Sequence, residues 1–317
     1  MHPLRVALFL DGRPGHEKQS KGIIKALQEI HPVNCREIHI NRPGLLEDIW
    51  LWIRYFLGLN DGGEKVQKPY DLVIGTGTHT HIPMLGFKRR TGAMACTCMS
   101  PSTLLKKRFD ICFIPQHDGI PAGKNVYLTV GPPNCSRAGE DHDPDKSLIL
   151  LGGTDPKSHF WDSCEIAFFI EELVTKETDK QWIISSSPRT PAETISLIEK
   201  LALQFYNIKF FRYQDTEAGW IERQYSSCKT VWVTADSMSM VYEALSAGCN
   251  VGLLPVTWKN KKSKFKRSEK YLLDHGLVAS FAAWQEGNII WNQGKPLAEA
   301  QRCANEILRV WHLENSI

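Results

Sequence analysis

The residues best equipped for chemistry stand in short loops rich in glycine, hydroxyls and single basic groups. The first is Asp11-Gly12-Arg13-Pro14-Gly15-His16-Glu17-Lys18-Gln19-Ser20. Gly12 and Gly15 let backbone approach a ligand, and the helix starting there offers unpaired N–H groups. That helix end disfavours an imidazolium at His16, leaving a neutral ring able to accept a proton. A capping turn with an incidental histidine is the plain alternative. The loop is not a Walker A motif, because its glycine, lysine and serine are not adjacent.

A second loop, Gly75-Thr76-Gly77-Thr78-His79-Thr80-His81-Ile82-Pro83, follows an apolar strand. Gly-x-Gly is half of a dinucleotide fingerprint, without the third glycine or the later acidic residue. Thr76, Gly77, Thr78 and His79 can line an acceptor pocket. His79 and His81 have no third ligand nearby in sequence, so neither metal nor cofactor is expected. Ser100, at the end of a later strand, reads as structural before it reads as catalytic, as does the loop around His117.

The second half carries more specific signals. Leu151-Gly152-Gly153-Thr154 is a strand running into a turn whose amides can meet an anion with no Cβ in the way. Ser185-Ser186-Ser187-Pro188-Arg189 offers a guanidinium that can grip a phosphate, although a solvated turn explains it equally well. The run from Val231 to Pro255 reads as strand, capped helix, glycine C-cap, strand and proline. In it Ser237 and Ser239 can cap the helix and hold a diphosphate at its positive end. Glu243 lies farther along that helix, within reach of two vicinal ribose hydroxyls.

These loops need strands and helices to hold them. Apolar runs alternate with helical periodicity along all 317 residues, the pattern of an α/β protein with parallel sheets. Strands are expected at 5–10, 35–40, 71–75, 93–99, 111–115 and 126–130, then at 147–151, 181–185, 209–212, 230–234 and 251–254. Helices are expected at 18–30, 44–57, 82–90, 159–174, 191–204, 219–226, 237–247, 268–275 and 296–311. The stretch 131–146, rich in proline, glycine and charge, reads as a linker. The expected organisation is an N-terminal Rossmann-like domain (1–135) and a C-terminal Rossmann-like domain (147–295). A final helix, 296–317, is expected to pack back on the first domain.

Composition narrows the class. A net charge of +3 is too mild for nucleic acid to be the partner. The opening apolar run stops at Asp11 and reads as a strand rather than a signal peptide. Nine scattered cysteines without a C-x-x-C pair suggest buried thiols in a reducing compartment. The expected location is cytoplasmic, peripheral on the inner membrane face. The segment 45–57 is aromatic, amphipathic and too short to span a bilayer; it suits a lipid interface or a packing helix. The basic run 258–267 suits anionic lipid, a phosphate or plain solvent.

The Val231–Pro255 run resembles the C-terminal domain of GT-B glycosyltransferases, including the lipid-linked GlcNAc transferase of peptidoglycan synthesis. That resemblance implies two Rossmann-like domains facing across a cleft, the first (1–135) taking the acceptor and the second (147–295) the nucleotide sugar. It places Glu243 on the ribose, Ser237 and Ser239 near the diphosphate, and Gly152-Gly153-Thr154 at the other phosphate loop. Arg212 and Tyr213 match the segment whose backbone recognises the base, and Gly12 to His16 the glycine-rich acceptor loop. Asp236 departs from that pattern, since an acid beside a diphosphate is repulsive; it is expected to be an N-cap turned away. Taken together, TGTHTHIP, LGGTDP, SSSPRTP and VWVTADSMSMVYEALSAG resemble the mitochondrial-fission Elm-type family, assigned to the GT-B glycosyltransferases. That family has bacterial members and a plant member that recruits a dynamin-like protein.

The resemblance implies a hexosyltransferase that moves sugar from a UDP- or other NDP-sugar to a lipid-linked or lipopolysaccharide-like acceptor, with His16 as general base. A nucleotide-sugar 2-epimerase and a non-catalytic membrane adaptor are the alternatives.

Overall fold

The computed structural model describes residues 2–41, 44–59, 70–139, 141–292 and 296–315. Glu140, within the expected linker, lies outside them. The chain forms two compact units, Met1–Cys135 with Ala298–Ile317, and Ser136–Leu297.

The first unit is built on β1 (Leu4–Leu10), α1 (Pro14–Ile30), β2 (Val33–His39), α2 (Leu45–Phe56), β3 (Leu72–Gly75), α3 (Thr78–Thr91), β4 (Met94–Thr97), α4 (Thr103–Lys106), β5 (Ile111–Pro115) and β6 (Val126–Thr129). Its strands pair in parallel in the order β2-β1-β3-β4-β5-β6. Central strands such as β1 and β3 are apolar along their length because both faces are covered. One face packs against α1, the other against α3 and the inward residues of α2.

The second unit contains β7 (Asp143–Leu150), β8 (His159–Phe160), α5 (Ser163–Lys176), β9 (Gln181–Ser185), α6 (Ala192–Gln204), β10 (Ile208–Phe211), α7 (Trp220–Ser227), β11 (Cys228–Thr234), α8 (Met238–Ser246), β12 (Asn250–Leu254), β13 (Thr257–Trp258), α9 (Lys264–Asp274), β14 (Ala279–Ser280) and α10 (Phe281–Gln285). Its parallel sheet runs β10-β9-β7-β11-β12-β14, a doubly wound order. The last helix, α11 (Glu299–Asn315), belongs to the first unit, where Cys303, Ala304 and Ile307 join the core under α1.

Several boundaries differ from the sequence expectation, because backbone pairing or capping outweighs apolar pattern; α1, for one, starts at Pro14 rather than 18, with proline in its first turn. β7 starts at Asp143, four residues earlier than its apolar run, since ladder bonds need no apolar side chain. His159 is not helical: it pairs with Trp258 in a two-stranded ribbon, and α5 waits for Asp162, whose carboxylate caps Cys164 and Glu165. α9 starts at Lys264, with Ser263 accepting from the Lys266 amide. α3 starts at Thr78, so Pro83 is interior and leaves the His79 carbonyl without its helical N–H partner.

Candidate functional site

Loops at carboxyl ends of strands, where chain order reverses, are where open α/β sheets build sites. In the first unit the reversal lies between β1 and β3. The two loops there are Asp11–Arg13 and Thr76–Gly77, and they meet. His16 Nδ1 lies 2.8 Å from Asp11 Oδ2, with the carboxylate 1% exposed and the imidazole 19%. Asp11 Oδ1 accepts from the Arg13 amide at 3.1 Å, which fixes the carboxylate. A carboxylate at Nδ1 holds the proton there and turns Nε2 into the acceptor, the arrangement that orients a general base.

Gly77 makes this approach feasible. Its φ is +108°, and a Cβ there would stand 2.6 Å from His16 Nδ1 and 2.7 Å from Asp11 Oδ2. The structure thus joins His16 and Gly77 through Asp11, a residue the sequence reading passed over. Gly12 and Gly15 flank the pair with open space where a side chain would stand. Thr78 is exposed and His79 half-buried in the first turn of α3. Thr76 is buried, its hydroxyl beside the Cys98 thiol, which burial pushes up to about 12. Ser100 follows β4, one strand farther from the reversal, and its hydroxyl turns to the Pro101 carbonyl.

His81 is no ligand either. It is buried against Phe109, with Nε2 3.3 Å from the Thr97 hydroxyl. Burial first, and the charge of His16 second, lower it to about 4. It is therefore a neutral core group.

In the second unit the order reverses between β7 and β11, and six expected residues converge there, Gly152, Gly153, Thr154, Arg189, Asp236 and Ser237. Arg189, from the loop after β9, donates to Asp236 Oδ2 at 2.7 Å, the Ser237 hydroxyl at 3.1 Å and the Gly153 carbonyl at 3.1 Å. The Gly153 amide donates to the same Asp236 oxygen at 3.1 Å. Asp236 is thus not turned away as an N-cap: it faces the Gly152-Gly153 turn. Nor does Ser237, the N-cap of α8, make a side-chain cap bond, because its hydroxyl serves Arg189.

The turn's amides are not bare, as the sequence suggested. Gly152 donates to the Thr234 hydroxyl at 2.7 Å, and Thr154 to the Arg189 carbonyl at 3.0 Å. The glycines are needed because a Cβ at Gly152 would meet the Asp236 carboxylate, and one at Gly153 the Arg189 carbonyl. Ser187 and Thr190 hold the Gly152 carbonyl at 2.5 and 2.6 Å, and His159 holds that of Gly153 at 2.9 Å. Only the loop's serine and threonine content signalled these supports in the sequence. Through His159 the β8–β13 ribbon ties the basic run after Pro255 to the turn.

Asp236 Oδ1 is buried, and among the described residues nothing donates to it. A carboxylate therefore sits where a guanidinium, an amide and a hydroxyl converge.

The remaining expected residues lie apart from this cluster. The Arg212 guanidinium pairs with Glu199 of α6, and the Tyr213 amide donates to the Ser186 hydroxyl at 3.0 Å. Ser239 is exposed one position into α8. Glu243 is 6% exposed. Its charge adds to burial in pushing the Tyr225 phenol well up.

Solved structures share this architecture at low identity. A Listeria monocytogenes protein assigned as a UDP-N-acetylglucosamine 2-epimerase aligns at a TM-score of 0.58 with 14% identity, over 99% of this chain and 98% of its own. The UDP-GlcNAc 2-epimerase of Methanocaldococcus jannaschii, solved with UDP-GlcNAc and UDP, aligns at 0.54 with 14% identity, over 98% and 100%. The ADP-heptose lipopolysaccharide heptosyltransferase II of E. coli aligns at 0.50 with 12% identity, over 99% and 100%. The fold is GT-B. No curated protein matches by sequence. The sequence does match the mitochondrial fission ELM1 family over residues 14–311, nearly its whole length, and the chain belongs to that family.

Proposed function

We propose that this protein transfers a sugar from a nucleoside-diphosphate donor held by the second unit to an acceptor hydroxyl activated at His16 in the first. The observation that carries the reading is the cluster at the β7–β11 reversal, where Asp236 accepts from Arg189, the Gly153 amide and, at 3.5 Å, the Ser237 hydroxyl. A donor diphosphate would take over those three donors and release Asp236, whose bare Oδ1 makes its present place costly. The same donors would stabilise the leaving diphosphate as its charge grows.

The resemblance assigns the ribose to Glu243, the diphosphate also to Ser239, and the base to the backbone at Arg212 and Tyr213. Asp11 would hold His16 in the tautomer whose Nε2 takes the acceptor proton. A lipid-linked or cell-envelope acceptor fits the apolar and basic surface of the chain.

A 2-epimerase is the second reading. What favours it is Asp11, a buried carboxylate held against His16 at a strand end of the first unit. The deciding experiment incubates labelled NDP-sugars with and without a lipid extract. Transfer predicts nucleoside diphosphate release that needs the extract and falls about 10²–10⁴-fold in His16→Ala and Asp11→Asn. Conversion of UDP-GlcNAc to its 2-epimer without extract assigns the site to epimerisation instead.

A further inference from the structure

The outward face of α2 is apolar and open to solvent. Leu46, Ile49, Trp50, Ile53, Phe56 and Leu57 are all exposed, Leu46 at 81% and Trp50 at 55%. At 3.6 residues per turn they form one stripe about 120° wide running the length of the helix. The opposite face, with Trp52 and Tyr55, is spent on the core over α3. The stripe is therefore not a packing face left over from folding.

Cations gather at its C-terminal end. The Arg89 guanidinium stacks 4.3 Å from the Tyr55 ring centroid and donates to the Tyr55 carbonyl at 2.7 Å. Arg108 lies 4.9 Å from the Phe56 ring centroid. Both are exposed, as are Arg90 and Lys107. Lys88 does not add to this charge, being paired with Asp110 at 2.6 Å. The one exposed acid on the helix, Glu47, accepts from the Gly44 amide at 3.1 Å and caps the other end.

An exposed apolar stripe with exposed guanidinium groups at its end matches the layering of a bilayer, whose phosphates border its acyl region. Twelve residues rise only about 18 Å against a hydrocarbon core of about 30 Å, so the helix lies in the interface. Among the described residues no helix is long and apolar enough to cross a membrane. We propose that α2 docks this protein on an anionic phospholipid surface, its stripe at the headgroup–acyl boundary and Arg89, Arg90, Lys107 and Arg108 against lipid phosphates. The inference stands apart from the transfer reading, because it needs neither donor nor acceptor.

The test is sedimentation of the full chain with vesicles of phosphatidylcholine alone, or with about 30% phosphatidylglycerol, at about 0.1 M salt. Binding is expected with the anionic vesicles and not with the neutral ones, and is expected to weaken as salt rises. The triple variant Ile49→Ser, Trp50→Ser, Ile53→Ser should lose at least about tenfold in binding. Arg90→Glu with Lys107→Glu should lose a similar factor, and it carries the test should the triple variant fail to fold. No binding to anionic vesicles, or undiminished binding by both variants, overturns the proposal. So does a concentration-dependent dimer abolished by the triple variant, which would assign the stripe to a second copy.

Discussion

Asp11 and Asp236 are both strand-end aspartates, and their neighbours give them opposite parts. Asp11 orders a histidine, while Asp236 accepts from a guanidinium and a backbone amide. Neither role was legible in the sequence, because each depends on which strands are neighbours at the reversal. His81 makes a prediction at this scale. In the unfolded chain it titrates near 6.5, and in the folded protein only near 4. Between those values the unfolded chain binds the extra proton, so stability is full above about pH 6.5 and falls as pH drops toward 4. The loss is of order 3 kcal/mol when complete. Thermal unfolding from pH 7 to 4.5 should show it, and His81→Gln should flatten the profile. An unchanged profile in that variant would assign the acid loss to other groups.

Among the elements, the central strands were legible because burial on both faces leaves unbroken apolar runs, as in Leu148-Ile149-Leu150. The start of α3 was not, because a glycine conformation sets it rather than an apolar repeat. That difference predicts unequal glycine substitutions. Gly12→Ala, at φ +75° in open space, should cost about 1 kcal/mol. Gly77→Ala must also clear His16 and Asp11, and should cost about 2–4 kcal/mol in urea unfolding. Equal costs would mean the Asp11–His16 pair yields freely. The same logic explains α9: three cations in its first turn oppose the helix dipole, an arrangement an anion would relieve, and only the cap at Ser263 shows where that turn begins.

For the molecule as a whole, alternation of apolar runs and helical periodicity made the two-sheet architecture readable, and six of the nine cysteines are buried. The return of α11 to the first unit rests on Cys303, Ala304 and Ile307, an apolar stripe that the sequence displays without naming its partner. What the sequence does not display is that Asp236 faces Arg189, because that pairing depends on which strand-end loops meet at the reversal. The account therefore turns on whether Asp236 and a nucleoside diphosphate compete for Arg189.

Calorimetric titration of UDP, ADP and GDP into the protein measures this directly. At least one should bind, Arg189→Ala should weaken it by about 10–100-fold, and Asp236→Asn should tighten it roughly fivefold by removing an ion pair worth about 1 kcal/mol. Binding that Arg189→Ala leaves untouched, or that Asp236→Asn weakens, would contradict the account.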